Sequence, residues 1–452
     1  MGRDNREEEE EKPLGRCSVL TYGVGHMLND ITQCCWYTYL LLYLTDIGLS
    51  PSSAAIVTLV GQFADAFTTI IAGELIDRFG QFKIWHGAGC IMVGVSFISL
   101  FGGTCIPCKI LGSDSPTVQT VGYCISAVVF CSGWSCTQIS HMSMVNCITL
   151  NESSRIACVS CRNAFTMVAS LMLYAVTFFV FTNNAEDIKT QYRWMAFISI
   201  FIGGVFVIIF HLGVKEPRKK DDDGHEKIGS NTPWTYWLKR VLYYQVASIY
   251  VFTRVVTNVS QTFLAVYVIN DLRMSQSAKS LVPAIIYLCS FITSVLLQEL
   301  EWSGKRLKIF FAGGGILWLL CGAVVMLLPI KMNSFMYALS VLIGIANALM
   351  MVTSIGMESA LVDKHLDGSA FVYGSMGFID KVLCGVALYF LESFEDADPV
   401  ACNPAQACFS VTRFSLGFIP GIAALFGVIV SFTMKLLHTS HKKQPLAEPL
   451  LA

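Results

Sequence analysis

The chain has 452 residues, 54% of them apolar and only 14% charged, with a mean hydropathy of +0.58 and a net charge of −1. Soluble domains carry about 25% charged residues, so this balance excludes a soluble globular protein. Near-neutrality argues against a nucleic-acid or polyanionic partner.

The predicted elements are transmembrane helices, because crossing a ~30 Å hydrocarbon core takes about 20 apolar residues and the runs here are too long for barrel strands. A polar tail over 1–17 holds an acidic run from Glu7 to Glu11 and lacks the apolar core of a cleavable signal. The first span is therefore expected to direct insertion. Six spans follow, at 18–44, 54–76, 83–104, 119–147, 157–181 and 193–213. A charged, Gly- and Pro-bearing linker occupies 214–240. Six more spans lie at 241–269, 279–300, 307–329, 334–361, 369–392 and 414–436, before a polar tail over 437–452.

This pattern predicts an all-α multi-pass membrane protein with two six-helix bundles, 18–213 and 241–436. Such halves pack about a pseudo-two-fold axis and hold solute near mid-membrane. Of the 31 Lys and Arg, 22 fall on the side of the tails and seven on the other. That bias puts both termini in the cytosol. The remaining two, Arg254 and Lys381, lie mid-span.

A charge at that depth costs at least ~2.5–3.5 kcal/mol and is normally paired and aimed at a polar cavity. Polar residues also recur at helical spacing. The first span aligns His26, Asn29, Asp30 and Gln33, and the second aligns Thr58, Gln62, Asp65 and Thr69. The fourth offers Trp134, Gln138 and His141; the seventh offers Tyr250, Arg254, Asn258 and Gln261. The eleventh carries Tyr373, Gly377, Lys381 and Cys384, with Asp380 beside Lys381. For a lone Asn, Thr or Ser the blander role is hydrogen bonding between helices in lipid. The ionised residues are different, because packing alone does not require charge. Arg254, Asn258, Gln261, Gln138, Trp134 and Tyr250 are the expected solute-binding set. Asp30, Asp65, Asp380, Lys381 and His26 are the expected ion-coupling set.

Three acids against two cations leave one negative charge over, which a proton or a bound cation would balance. Sequence neighbours do not face each other on a helix. Lys381 is therefore expected to meet Asp30 or Asp65 across the seam between halves, not Asp380. Glu358, near the end of the tenth span, is expected in a solvated or latch position.

Gly73-Glu-Leu-Ile-Asp77-Arg78-Phe-Gly80-Gln-Phe-Lys83 joins the second and third spans. Gly73 suits close helix approach, Gly80 a tight turn, and Asp77 and Arg78 charge-assisted bonds to helix ends. This G-x-x-x-D-R-x-G-x-x-K pattern resembles the signature loop of the major facilitator superfamily, where it acts as a conformational latch. Gly304-Lys305-Arg306 is a weaker echo in the second half. YGVGHMLND (22–30), GQFADAFTT (61–69), CTQISHMS (136–143), RNAFT (162–166) and GSAFVYGSMGFIDKV (368–382) resemble one branch of that superfamily. That branch implies a lysosomal and melanosomal carrier taking cysteine from cytosol to lumen.

The chain is more distantly similar to melibiose-permease-type cation symporters, which Asn29-Asp30, Asp65 and Lys381 match. Thr69 and Gln138 stand where those proteins carry acids. A hard cation wants several anionic oxygens, so proton coupling or uncoupled exchange fits the remaining charges better than a sodium site. Rival readings are a cation-coupled carrier of a sugar or lysolipid, and a non-transporting organelle scaffold.

The sequence contains no hydrolase elbow, zinc pattern or phosphate loop, so neither enzymatic activity nor a cofactor is expected. Most of the 17 cysteines lie in spans. Cys105, Cys108, Cys402 and Cys408 fall in non-cytosolic loops, where one or two disulfides can form.

Overall fold

A computed structural model describes residues 14–79, 81–103, 105–112, 115–149, 152–182, 187–215, 234–298, 300, 303–362, 369–394 and 410–434. These form twelve long helices and no strand. In the first half, α1 is bent: Arg16–Gly23, a 3₁₀ turn Val24–His26, then Met27–Asp46. It is followed by α2 (Pro51–Phe79), α3 (Phe82–Phe101), α4 (Pro116–Ile148), α5 (Glu152–Thr182) and α6 (Ile188–Gly213). The second half holds α7 (Val241–Val266), α8 (Ala278–Gln298), α9 (Gly304–Leu327), α10 (Phe335–Val362) and α11 (Ser369–Phe394). Last comes α12, running as Val411–Arg413, a π turn Phe414–Phe418 and Ile419–Thr433.

Ten of these helices are long and apolar enough to cross a membrane; α1 and α7 are not. Their polar stripes are the reason, and the same stripes line the cavity described below. Outward-facing side chains are apolar: Leu212 is 83% exposed and Phe179 74%, as a lipid-facing belt requires.

Helix starts follow local chemistry. Ser115 precedes Pro116 and its Oγ accepts from the Val118 amide at 3.3 Å; Ser303 caps Arg306 in the same way at 3.3 Å. In the loop between α2 and α3, Gln81 takes the left-handed conformation, φ 57°, while Gly80 lies outside the described residues. Backbones touch where glycines meet. A Cβ on Gly89 would sit 2.7 Å from the Gly133 carbonyl oxygen, and one on Gly133 2.9 Å from that of Gly89, so α3 and α4 cross with no room for a side chain.

The halves meet along three helix pairs, α1–α7, α2–α11 and α5–α8. Two ends of the bundle can be distinguished: a terminal face holding Leu14 and Met434, and a far face opposite. At the far face the halves are clasped. Lys279 of α8, only 1% exposed, places Nζ 3.7 Å from the Phe181 ring centroid of α5 and 5.1 Å from that of Tyr192 in α6. Tyr39 of α1 donates to the Lys279 carbonyl at 3.2 Å. That carbonyl is free because Pro283, four residues on, has no N–H to return to it. The proline thus exposes an acceptor that the other half uses.

Towards the terminal face the seam opens. On α2 and α11, Gln62 presses on Gly385 and Phe67 meets Phe378, yet a Cβ on Gly73, Gly374 or Gly377 would meet nothing within 4 Å. The close helix approach expected at Gly73 is therefore not made in this conformation, because the halves splay there.

Candidate solute cavity between the halves

A cavity of about 230 Å³ lies between the bundles. Asp30, Gln33 and Tyr37 of α1 and Thr166 of α5 form one wall; Arg254 and Gln261 of α7 stand on the other. The α1 residues reach it because the 3₁₀ turn at Val24–His26 resets the helix just before Asp30. Asp30 accepts from Thr166 Oγ1 at 2.9 Å and is 2.8 Å from His26 Nδ1.

The other face of the His26 ring, Nε2, lies 3.4 Å from Arg162 Nη2. By position in the sequence, Arg162 is one of the 22 basic residues expected on the side of the tails. Here it sits nearly three turns inside α5 and reaches the buried cluster. Arg162 thus joins Arg254 and Lys381 as a third cation beside Asp30, Asp65 and Asp380, while the buried Glu358 adds a fourth acid, so the count still leaves one negative charge over. A signal did exist, since Arg162, Thr166 and Ser170 recur every four residues and the latter two line the cavity.

Arg254 donates from Nε to Asp380 Oδ2 at 2.9 Å, and its side chain keeps 24% exposure. Asp380 also accepts from Cys384 Sγ at 3.1 Å. Asn258 donates to Cys384 Sγ at 3.5 Å and lines the cavity. Gln261 reaches across the seam to Thr38 Oγ1 of α1 at 3.0 Å while accepting from Tyr287 at 3.0 Å. Tyr250, one turn before Arg254, does not line the cavity.

Lys381 crosses the seam to Asp65 Oδ1, 2.6 Å, and donates to Thr69 Oγ1, 2.6 Å. Ser135 of α4 also bonds Asp65. Trp134 belongs to this second cluster, its ring 5.4 Å from Lys381 Nζ. Its indole N–H donates to the Asn29 carbonyl at 3.3 Å. Trp134 therefore stands on the α2–α11 side, and neither it nor Gln138 lines the cavity. His141 stacks on Tyr22 at 4.3 Å and bonds the Tyr22 carbonyl at 2.9 Å, a packing role.

Sequence reasoning did not find Tyr37, Tyr287 or Trp318, which line the cavity. Aromatic residues at helical spacing are indistinguishable from core residues until the helices are placed. Glu358, expected near solvent, is instead 4% exposed in α10 and makes no ion pair among the described residues. In the loop signature, Lys83 donates to the His211 and Val214 carbonyls at 2.8 and 3.0 Å, capping the end of α6. Arg78 lies beside the Phe79 ring, 5.7 Å from its centroid. The Asp77 side chain lies outside the described residues.

This arrangement, two bundles with paired charges around a cavity between them, is that of a carrier. A family model described as MFS/sugar transport protein matches residues 21–436. The chain belongs to the major facilitator superfamily. Within the superfamily it is 31% identical over 448 residues to Major facilitator superfamily domain-containing protein 12 of Homo sapiens, with 91% of each chain covered. It is 24% identical over 262 residues to Sodium-dependent lysophosphatidylcholine symporter 1 of Gallus gallus, covering 49% of this chain and 47% of that one. A solved D-xylose-proton symporter superposes with a TM-score of 0.65 at 16% identity over 91% of this chain and 96% of that one, which shows a shared fold. The protein is thus a multi-pass membrane transporter of the superfamily.

Proposed function

We propose that this transporter carries cysteine from the cytosol into the lumen of lysosomes or melanosomes by alternating access, linked to protons. One observation carries the reading: Asp30 and Arg254 face a single cavity of about 230 Å³ from opposite halves. Cysteine at neutral pH is a zwitterion. The guanidinium edge not used by Asp380 suits its carboxylate, and Asp30 suits its ammonium. Gln261 and Asn258 are placed to orient the solute. The binding roles expected for Trp134 and Gln138 pass to Tyr37 and Tyr287.

Size favours a small solute. Pockets for drug-sized ligands run ~300–1,000 Å³, so this conformation has no room for a lysolipid. Charge favours a zwitterion over a neutral sugar. Two ion pairs buried between the spans, Arg254–Asp380 and Lys381–Asp65, also count against a scaffold that moves nothing, since each has a desolvation cost. With the termini in the cytosol, as the basic residues favour, the splayed face opens to the cytosol and the clasped face to the lumen. Glu358, buried outside the Arg254–Asp380 and Lys381–Asp65 pairs, is the candidate proton carrier.

The test is uptake of labelled cysteine into proteoliposomes with imposed pH and sodium gradients. Arg254→Gln and Asp30→Asn should each abolish uptake while the protein remains folded. Uptake by both variants at the normal rate would refute the assignment.

A further inference from the structure

Away from the cavity, Cys105 and Cys108 form a disulfide at the far face, in the connection between α3 and α4. The bridge encloses only Ile106 and Pro107. So small a ring removes little entropy from the unfolded chain. The segment is already held without it: the Lys109 amide donates to the Cys105 carbonyl at 3.1 Å, Gly112 to that of Cys108 at 3.1 Å, and Ile106 to Ser99 Oγ at 3.0 Å. The disulfide therefore contributes little to the fold.

Its setting suits exchange. The Cys108 amide N–H points at Cys105 Sγ, 3.2 Å away, where it would stabilise a thiolate. Both cysteines are half-buried, whereas Cys35, Cys90, Cys131 and Cys384 are buried inside the bundle. The bridge lies flat on α4 at Gly122, where a Cβ would overlap both sulfurs, Cys108 more deeply than Cys105. Cys105 is thus the sulfur left open to attack.

We propose that Cys105–Cys108 is a dithiol–disulfide exchange site for small soluble thiols at the far face. An incoming thiolate bonds to Cys105 Sγ; the bond to Cys108 breaks, and Cys108 leaves as a thiolate that takes a proton from water. A second thiolate attacks the outer sulfur of this mixed disulfide. The small-molecule disulfide departs, and Cys105 is released as a thiolate held by the Cys108 amide. Two thiols are oxidised and one protein disulfide is reduced; the small-molecule disulfide drives the reverse. The chemistry goes beyond the transport reading and does not depend on it, though delivered cysteine would be such a thiol.

The experiment equilibrates the full-length protein in nanodiscs with cysteine–cystine mixtures, quenches with acid, alkylates free thiols and weighs the peptide spanning Cys105 and Cys108. The reduced fraction should rise with the cysteine-to-cystine ratio. Cys108→Ser should trap a cysteinyl adduct on Cys105, with about tenfold less adduct on Cys108 in Cys105→Ser. The Cys105→Ser/Cys108→Ser double variant should melt within about 2 °C of the parent. A bridge that stays closed under about a hundredfold excess of cysteine, or a double variant that melts far lower, would overturn the proposal and assign a structural staple. Uptake is read separately, so exchange without uptake would count against the transport reading alone.

Discussion

Lys381 of α11 and Asp65 of α2 form a 2.6 Å ion pair across the seam between halves, with the acid 7% exposed. Removing one partner of a buried pair strands the other, at ~3–5 kcal/mol, while removing both is often close to neutral. Lys381→Ala and Asp65→Ala should each melt well below the parent, and the double variant should melt above either single one. Thermal unfolding in detergent checks this. Additive losses would mean that the pair is not coupled.

The clasp at the far face joins the two halves in this conformation. Tyr39→Phe removes one hydrogen bond to the Lys279 carbonyl, about 0.5–1.5 kcal/mol. Lys279→Met removes the cation over Phe181, about 2 kcal/mol when desolvated. Both variants should shift the population towards a far-side-open state, Lys279→Met more strongly. The rate at which a membrane-impermeant thiol reagent reaches Cys34 from each side reads that shift. Unchanged rates in both variants would show that the clasp does not gate.

Arg162 completes the cluster around Asp30 through His26. Arg162→Gln should reduce cysteine uptake at least about tenfold, the loss of one charge-assisted contact. Arg162→Lys should restore part of it, because a point charge returns without the planar fork. Equal uptake by parent and Gln variant would remove Arg162 from the site.

Gly73 has empty space around it here. Under alternating access, α2 and α11 close at that level in the opposite conformation. Gly73→Leu should therefore leave melting temperature and solute binding unchanged while slowing uptake. A fall in melting temperature with no change in turnover would instead make Gly73 a packing residue of the present state.

The bundle was readable from the chain because lipid leaves few alternatives: apolar runs of span length must be helices, and the charged linker divides them. Periodicity also placed Asp30, Arg254 and Gln261 on inward stripes, and Lys381 does reach an acid of the other half. What periodicity cannot give is rotation and depth. Trp134 turns towards Lys381 on the α2–α11 side while His141, on the same helix, packs on Tyr22 of α1, and neither they nor Gln138 line the cavity. Arg162 was missed because it lies near a span boundary, where a basic residue ordinarily meets headgroups. The Pro283–Lys279–Tyr39 relation needs three helices in place before it exists.

The most direct measurement asks whether the cavity reads both ends of a zwitterion. Cysteamine lacks the carboxylate and 3-mercaptopropionate lacks the ammonium; each would compete against labelled cysteine in proteoliposomes. With Arg254 and Asp30 as the two anchors, both analogues should compete at least about tenfold more weakly than cysteine itself. In purified Arg254→Gln, where uptake is lost, the shift in melting temperature that each solute produces is the readout, and the gap between cysteine and cysteamine alone should vanish. Competition by either analogue as strong as that of cysteine, on the parent protein, would contradict the account.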